Sequence, residues 1–222
     1  MNGRRAEFLI DLQKIKAQKQ KKITEIFADL YEWMFIYLQT ETNLREKVRA
    51  KQLFRHKLGL NKEEVLDNEL QIHLEHWLLL DYVTVSGSRL LDIFVRTKQE
   101  KMSKDMLELC GILMLMHLEP VKVISVEEEV VTYVSLLGDR TDRLQASPFL
   151  FGVDVSPEQI VLIRIATIGF EKKIIGPSIV IDPSFEVKVA GVFKDVHTQG
   201  YHVWRRYLKE YGIDMLKYRK KA

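Results

Sequence analysis

The chain has 222 residues, a net charge of +3 at pH 7, 46% hydrophobic and 29% charged residues, which excludes a disordered or fibrous protein. No apolar run approaches the ~20 residues of a membrane-spanning helix, so no membrane partner is expected. The one cysteine, Cys110, excludes an internal disulfide, and the charged N-terminal segment lacks the apolar core of a signal peptide, so both features predict a cytoplasmic location.

The first half of the sequence is predicted to be helical. Apolar residues recur at three- and four-residue steps over residues 4–39, without Gly or Pro, which predicts one long helix. The same spacing predicts four further helices over residues 44–58, 61–80, 88–97 and 104–117. Gly59 is a predicted helix stop, Asn61 and Ser103 are predicted N-caps, and Pro120 ends the helical part.

The pattern then changes to short runs rich in β-branched residues. Strands are predicted over residues 121–126, 130–137, 159–169 and 172–181, the last one bent at Gly176-Pro177. Residues 144–153 are irregular. Helices are predicted again over residues 185–197, 201–208 and 213–222.

This order predicts an α+β fold with an N-terminal helical bundle, a small antiparallel β-barrel-like sheet and C-terminal helices. We expect a helical domain over residues 1–118 and a small β-barrel-like domain over residues 119–182. Residues 183–222 are expected to pack on this body as C-terminal helices. A curled sheet is favoured because an open sheet would leave long strand edges exposed.

The sequence carries no common catalytic or ligand-binding motif. No GxxxxGK[ST] or GxGxxG phosphate loop, no GxSxG nucleophile elbow and no HExxH zinc pattern occurs. His73 and His76 lie three residues apart, but no third ligand accompanies them. Cys110 lies in an apolar run and is expected to be a buried thiol. The sequence therefore assigns no catalytic, cofactor-binding or metal residue.

Charge is distributed unevenly. Residues 1–60 carry 13 Lys and Arg against 7 Asp and Glu, and residues 183–222 carry 9 against 4. Residues 61–118 and residues 119–182 each carry 6 against 10. The basic ends either dock on the acidic middle, stay solvated, or converge into a surface that meets a polyanion.

Two sets of residues are candidates for intermolecular contacts. Possible nucleic-acid contacts lie in the first and last helices: Lys14, Lys16, Lys19, Lys21, Lys22, Arg205, Arg206, Lys209, Arg219, Lys220 and Lys221. A possible protein interface lies where the first helix is apolar nearly all round, at Trp33, Phe35, Ile36 and Tyr37. For the second set, burial within the chain is favoured over contact with a partner.

The stretches Trp77-Leu78-Leu79-Leu80-Asp81-Tyr82 and Leu90-Leu91-Asp92-Ile93-Phe94 resemble bacterial proteins that often carry a C-terminal SEC-C motif. In that family a Trp, an apolar pair and an Asp precede a GKT-type elbow and an apolar helix. The resemblance covers residues 60–182 and implies a helical body with a small barrel, without a defined activity. Here Ser86-Gly87-Ser88-Arg89 replaces GKT, an apolar triplet replaces Leu-Phe, and one cysteine cannot supply the zinc motif.

The sequence thus predicts a non-enzymatic interaction module that binds a protein partner or self-associates. The alternative is a nucleic-acid-binding protein that uses its basic N- and C-terminal helices. A second alternative is an enzyme of unrecognised type. A basic surface would favour the first alternative, and a deep pocket with converging titratable groups would favour the second.

Overall fold

The structure, a computed structural model, describes residues 2–61, 63–138 and 141–221, with side chains from residue 12 onward. Its α-helices are α1 (Asn2–Thr40), α2 (Leu44–Leu58), α3 (Asn68–Leu80), α4 (Leu90–Lys98), α5 (Lys104–Leu115), α6 (Glu186–His197) and α7 (Tyr201–Tyr211). Short 3₁₀ helices cover Gln99–Lys101, Pro183–Phe185 and Gly212–Tyr218. No helix among the described residues is long and apolar enough to cross a membrane.

Helix ends follow local capping chemistry. Gly59 ends α2 in the left-handed region at φ 69°, as predicted. Ser103 caps α5 by accepting a hydrogen bond from the Met106 amide. The predicted start of α3 at Asn61 is wrong, because Asp67 is the cap and accepts a hydrogen bond from the Leu70 amide at 2.7 Å.

The strands form one six-stranded sheet: β1 (Leu118–Glu127), β2 (Val130–Ser135), β3 (Leu144–Pro148), β4 (Ile160–Ile168), β5 (Glu171–Ile174) and β6 (Ile179–Val180). Their order is β1-β2-β3-β5-β4-β6, and β1 also pairs with β4. The α+β class is confirmed. The sheet is mixed rather than antiparallel, because β3 and β5 pair in parallel, and it is curled without being a true barrel.

Several strands and helices begin or end at residues other than those predicted. Pro120 lies inside β1, which begins at Leu118, and the segment predicted to be irregular contains β3. The predicted last strand is split into β5 and β6 around Gly176, where φ is 73°. The predicted final helix is the 3₁₀ helix Gly212–Tyr218.

Strand β4 separates two hydrophobic cores, which explains why it is apolar at nearly every position. Leu162 and Ala166 belong to the large core shared with the helices, whereas Val161 and Ile163 belong to a smaller core inside the curled sheet. Since alternate strand residues point to opposite faces, Arg164 falls on the same face as Leu162 and Ala166. A charged side chain is thereby placed under the helices.

Candidate functional site

A buried ion pair lies where β4 meets the end of α3. The Arg164 guanidinium is fully buried and donates a hydrogen bond from Nη2 to Asp81 Oδ2 at 2.7 Å. Asp81 is the C-terminal cap of α3, and its carboxylate is 2% exposed. Because an unpaired buried charge is strongly unfavourable, each group requires the other.

A second buried cation faces the same carboxylate. Lys209, on α7, is 6% exposed, and its Nζ lies 3.8 Å from Asp81 Oδ1. That distance is too long for a hydrogen bond. Both Lys209 Nζ and Asp81 Oδ1 are buried without a hydrogen-bond partner among the described residues. The ammonium and this carboxylate oxygen therefore attract each other by charge without forming a hydrogen bond.

The loop between α3 and α4 brings a third cation to this place. Thr84 Oγ1 donates to the Ser88 carbonyl at 2.7 Å, and Gly87, at φ 80°, closes the turn. The turn carries Arg89 to the start of α4, where its backbone amide donates to Asp92 Oδ2 at 3.3 Å. Arg89 Nε is buried and has no hydrogen-bond partner in the described part of the chain.

Asp81, Arg89 and Lys209 form the floor of an open pocket of 550 Å³. Its apolar wall comes from Leu53, Trp77, Tyr82 and Val83. Its polar lining is Lys57, Asp81, Arg89, Arg206, Lys209 and Glu210. The pocket therefore combines an apolar wall with converging charged groups, which is typical of small-ligand sites.

The charge at the floor is unbalanced. Of the nearby rim groups, Lys57 is neutralised by Asp214 at 2.9 Å, and Arg206 lies 3.9 Å from Glu210. By contrast, the Asp81 carboxylate faces both Arg164 and Lys209, with Arg89 beside them. Among the described residues, one buried carboxylate thus lies beside three cationic side chains.

Burial of the ammonium group is the largest cause of a lowered pKa for Lys209, which falls from 10.5 to about 8. Asp81 opposes the shift, and the cations Arg89, Arg164 and Arg205 add to it. At neutral pH the side chain therefore remains charged in a setting that disfavours its charge. A bound anion would relieve this penalty.

Behind the ion pair, two histidines of α3 lie in the core. His73 is fully buried, and neither ring nitrogen has a hydrogen-bond partner among the described residues. His76 is hydrogen-bonded to the Tyr31 hydroxyl and to the Ile72 carbonyl. Desolvation, with a contribution from the Arg164 charge, lowers the pKa of each histidine to about 3, so both are neutral at pH 7. They do not reach the pocket lining.

The predicted nucleic-acid residues are placed in different surroundings. The five lysines of α1, Lys14 to Lys22, are all exposed. Among the C-terminal residues Arg206, Lys220 and Lys221 are exposed, but Lys209 is buried. Arg205 is half-buried and donates to the Leu115 carbonyl at 3.2 Å, and Arg219 pairs with Asp67 and Glu69.

The predicted protein-interface residues mostly pack inside the molecule. Tyr37 is 6% exposed and lies in the main core. Trp33 contacts the Phe94 ring edge-on, and Phe35 lies against His76. Ile36, at 48% exposed, is the member of the set with substantial free surface.

Sequence reasoning missed Asp81, Arg89 and Arg164 as a group. One signal was available, since Arg164 interrupts the otherwise apolar run QIVLIRIATIG and a buried arginine requires an acidic partner. Nothing in the sequence indicates that this partner is Asp81. Lys209 and Arg206 were singled out as basic, but as parts of an exposed helix face.

Among the described residues, no group of three or more His, Cys, Asp or Glu side chains could hold a metal ion. The resemblance to the SEC-C-associated proteins stays a prediction. No family model, curated protein or solved structure matches this chain, so its function must be inferred from the site itself.

Proposed function

We propose that this chain is a binding module whose pocket takes a small organic anion. The observation that carries the proposal is the excess of buried positive charge around Asp81, where Lys209 Nζ and Arg89 Nε lack hydrogen-bond partners among the described residues. Burying a charge without a partner is unfavourable, so an anion that accepts from these donors is stabilised.

The ligand is organic because four of the ten lining residues are apolar or aromatic. Trp77 and Tyr82 form the inner wall and are almost fully buried, whereas Leu53 and Val83 are partly exposed at the mouth. A phosphate or carboxylate group at the floor would place its carbon skeleton against this wall. A volume of 550 Å³ suits a ligand of that size.

The sequence predictions of a protein partner, of self-association and of a cytoplasmic location stay predictions. The pocket supports small-molecule binding better than the predicted interface supports a protein partner, because Tyr37 is buried and Trp33 and Phe35 are packed against neighbouring rings. A catalytic role is not part of the proposal.

The proposal can be tested by titration calorimetry with four probes. Phenylacetate and phenyl phosphate combine a ring with an anionic group, inorganic phosphate lacks the ring, and benzylamine carries a cation instead. We expect the two ring-bearing anions to bind, inorganic phosphate to bind more weakly, and benzylamine not to bind.

Variants of the floor should separate the site from general charge effects. Lys209→Met and Arg89→Gln should each weaken binding about tenfold or more, the loss of one hydrogen bond to a charged group. The control is Lys104→Gln, which removes one positive charge from an exposed position of α5 that does not line the pocket. Equal weakening by the control, or binding of benzylamine as tight as that of phenylacetate, would overturn the proposal.

A further inference from the structure

A second cleft, lined by a different set of residues, lies between α1 and the turn that joins β4 to β5. The Gln20 side chain fixes α1 to this turn, donating from Nε2 to the Ile168 carbonyl at 3.0 Å and accepting from the Phe170 amide at 2.7 Å. Beyond this point the described side chains of α1, from Leu12 to Lys19, are all exposed. Helix and turn enclose an open cleft of 610 Å³.

Positive charge is concentrated along this part of α1. Residues 12–24 contain five lysines and no acidic residue. The lining of the cleft holds three lysines and two carboxylates: Glu25 lies 3.9 Å from Lys21 Nζ, and Glu171 lies 2.8 Å from Lys173 Nζ. Lys16 has no acidic partner among the described residues, so the cleft keeps an excess of positive charge. At 3.6 residues per turn, Gln13, Ala17 and Gln20 form the helical wall of the cleft, with Lys16 and Lys21 on either side of it. Lys19 and Lys22 point to the opposite side of the helix and do not line the cleft. The same helix therefore carries two lysine pairs, one at the cleft and one away from it.

An exposed aromatic ring stands in the cleft. Phe170 is 54% exposed, although it lies next to the body of the protein. The Lys16 ammonium lies 5.2 Å from its ring centroid. An exposed ring with cations beside it is the arrangement on which proteins stack the bases of single strands while they contact the phosphates.

We propose that this cleft binds single-stranded nucleic acid, with a base on Phe170 and phosphates at Lys16 and Lys21. The proposal uses residues that are separate from the small-anion pocket and does not rest on it. A second copy of α1 is disfavoured as the occupant, because it would bring a further row of lysines against the first. An acidic peptide would satisfy the lysines but would make no use of the exposed ring.

The test is fluorescence anisotropy with labelled dT12 and rU12 at low and moderate salt. The cleft variant Lys16→Gln/Lys21→Gln and the control variant Lys19→Gln/Lys22→Gln remove the same charge from the same helix. We expect about tenfold weaker binding for the cleft variant and less than threefold for the control. Phe170→Leu should weaken binding by about tenfold, because it keeps an apolar side chain and removes the stacking surface. Circular dichroism confirms that each variant is folded.

Three results would overturn the inference. The first is the absence of binding at low salt. The second is equal weakening by both lysine variants, which would indicate general attraction to a basic helix. The third is tight binding of polyglutamate that Phe170→Leu leaves unchanged, which would indicate an acidic protein partner.

Discussion

Arg164 and Asp81 join the sheet to the helical half across 83 positions of the sequence, through one hydrogen bond of 2.7 Å between fully desolvated groups. The pair fixes the middle of β4 under the end of α3. Lys209 approaches the same carboxylate from α7. Three segments of the chain therefore meet at one buried charge, and the proposed ligand pocket opens above it.

Removing one member of this ion pair should lower the free energy of unfolding substantially. Arg164→Met is expected to reduce the free energy of unfolding by about 3–5 kcal/mol, because it removes the hydrogen-bonded partner of a buried carboxylate. The double variant Arg164→Met/Asp81→Leu should lose clearly less than the sum of the two single losses. Urea unfolding of the four proteins measures this coupling. Additive losses would mean that the two groups stabilise the fold independently.

Lys209 should behave differently, because its buried ammonium has no hydrogen bond in the described part of the chain. Lys209→Met is expected to leave the free energy of unfolding at pH 7 unchanged or to raise it, while it weakens anion binding. This outcome distinguishes a ligand-binding lysine from a structural one. A loss of stability comparable to that of Arg164→Met would contradict it.

The pH dependence of the free energy of unfolding should reflect the titration of Lys209. The pKa of Lys209 is lowered from 10.5 to about 8, so between these values the unfolded chain binds more protons than the folded one. The Lys209 contribution should therefore increase the free energy of unfolding by on the order of 3 kcal/mol as pH rises from about 8 to 10.5. Comparison of wild type with Lys209→Met removes the background from other lysines and from tyrosines.

His73 and His76 should make the protein sensitive to acid. Both pKa values are lowered from 6.5 to about 3, chiefly by desolvation, so folding is favoured while they are neutral and loses that support as pH falls from 6.5 towards 3. His73→Leu should be neutral or stabilising at pH 7, because neither ring nitrogen is hydrogen-bonded within the described residues. Its urea midpoint should fall less steeply below pH 6. An unchanged acid profile would show that His73 does not titrate as expected.

Two glycines should respond in opposite directions to alanine. At Gly176, φ is 73° and an added Cβ would clash with the His76 ring, so Gly176→Ala should destabilise the fold by about 2 kcal/mol or more. Gly111 lies inside α5 with open space around it, so Gly111→Ala should stabilise the fold by about 0.5–1 kcal/mol. Thermal unfolding compares the two.

The helices were predictable to the extent that their signals are local. Periodicity placed α1, and the Leu44–Leu58 helix with its Gly59 stop, because apolar spacing and a left-handed glycine act within a few residues. The start of α3 was misplaced because Asn61 and Asp67 both precede plausible first turns. β3 was missed because its five residues include Pro148 and Gln145 and have no clear alternation.

The site was less predictable because it depends on long-range register. Arg164 meets Asp81 only because β4 turns that face towards the helices, and no local pattern encodes this. Lys209 was predicted to lie on the exposed side of α7, because Trp204 and Leu208 mark the side of this helix that faces the core. In the structure Asp81, at the end of α3, lies 3.8 Å from the Lys209 ammonium, and the lysine is only 6% exposed.

The most direct test of the buried charge excess is an NMR titration of the Lys209 side chain, with and without phenylacetate. We expect a pKa of about 8 for Lys209 in the free protein and a higher pKa when the anion is bound, because a bound negative charge favours the ammonium form. Lys209→Met identifies the resonance by its loss. A Lys209 pKa near 10.5 that phenylacetate leaves unchanged would contradict the proposed anion site.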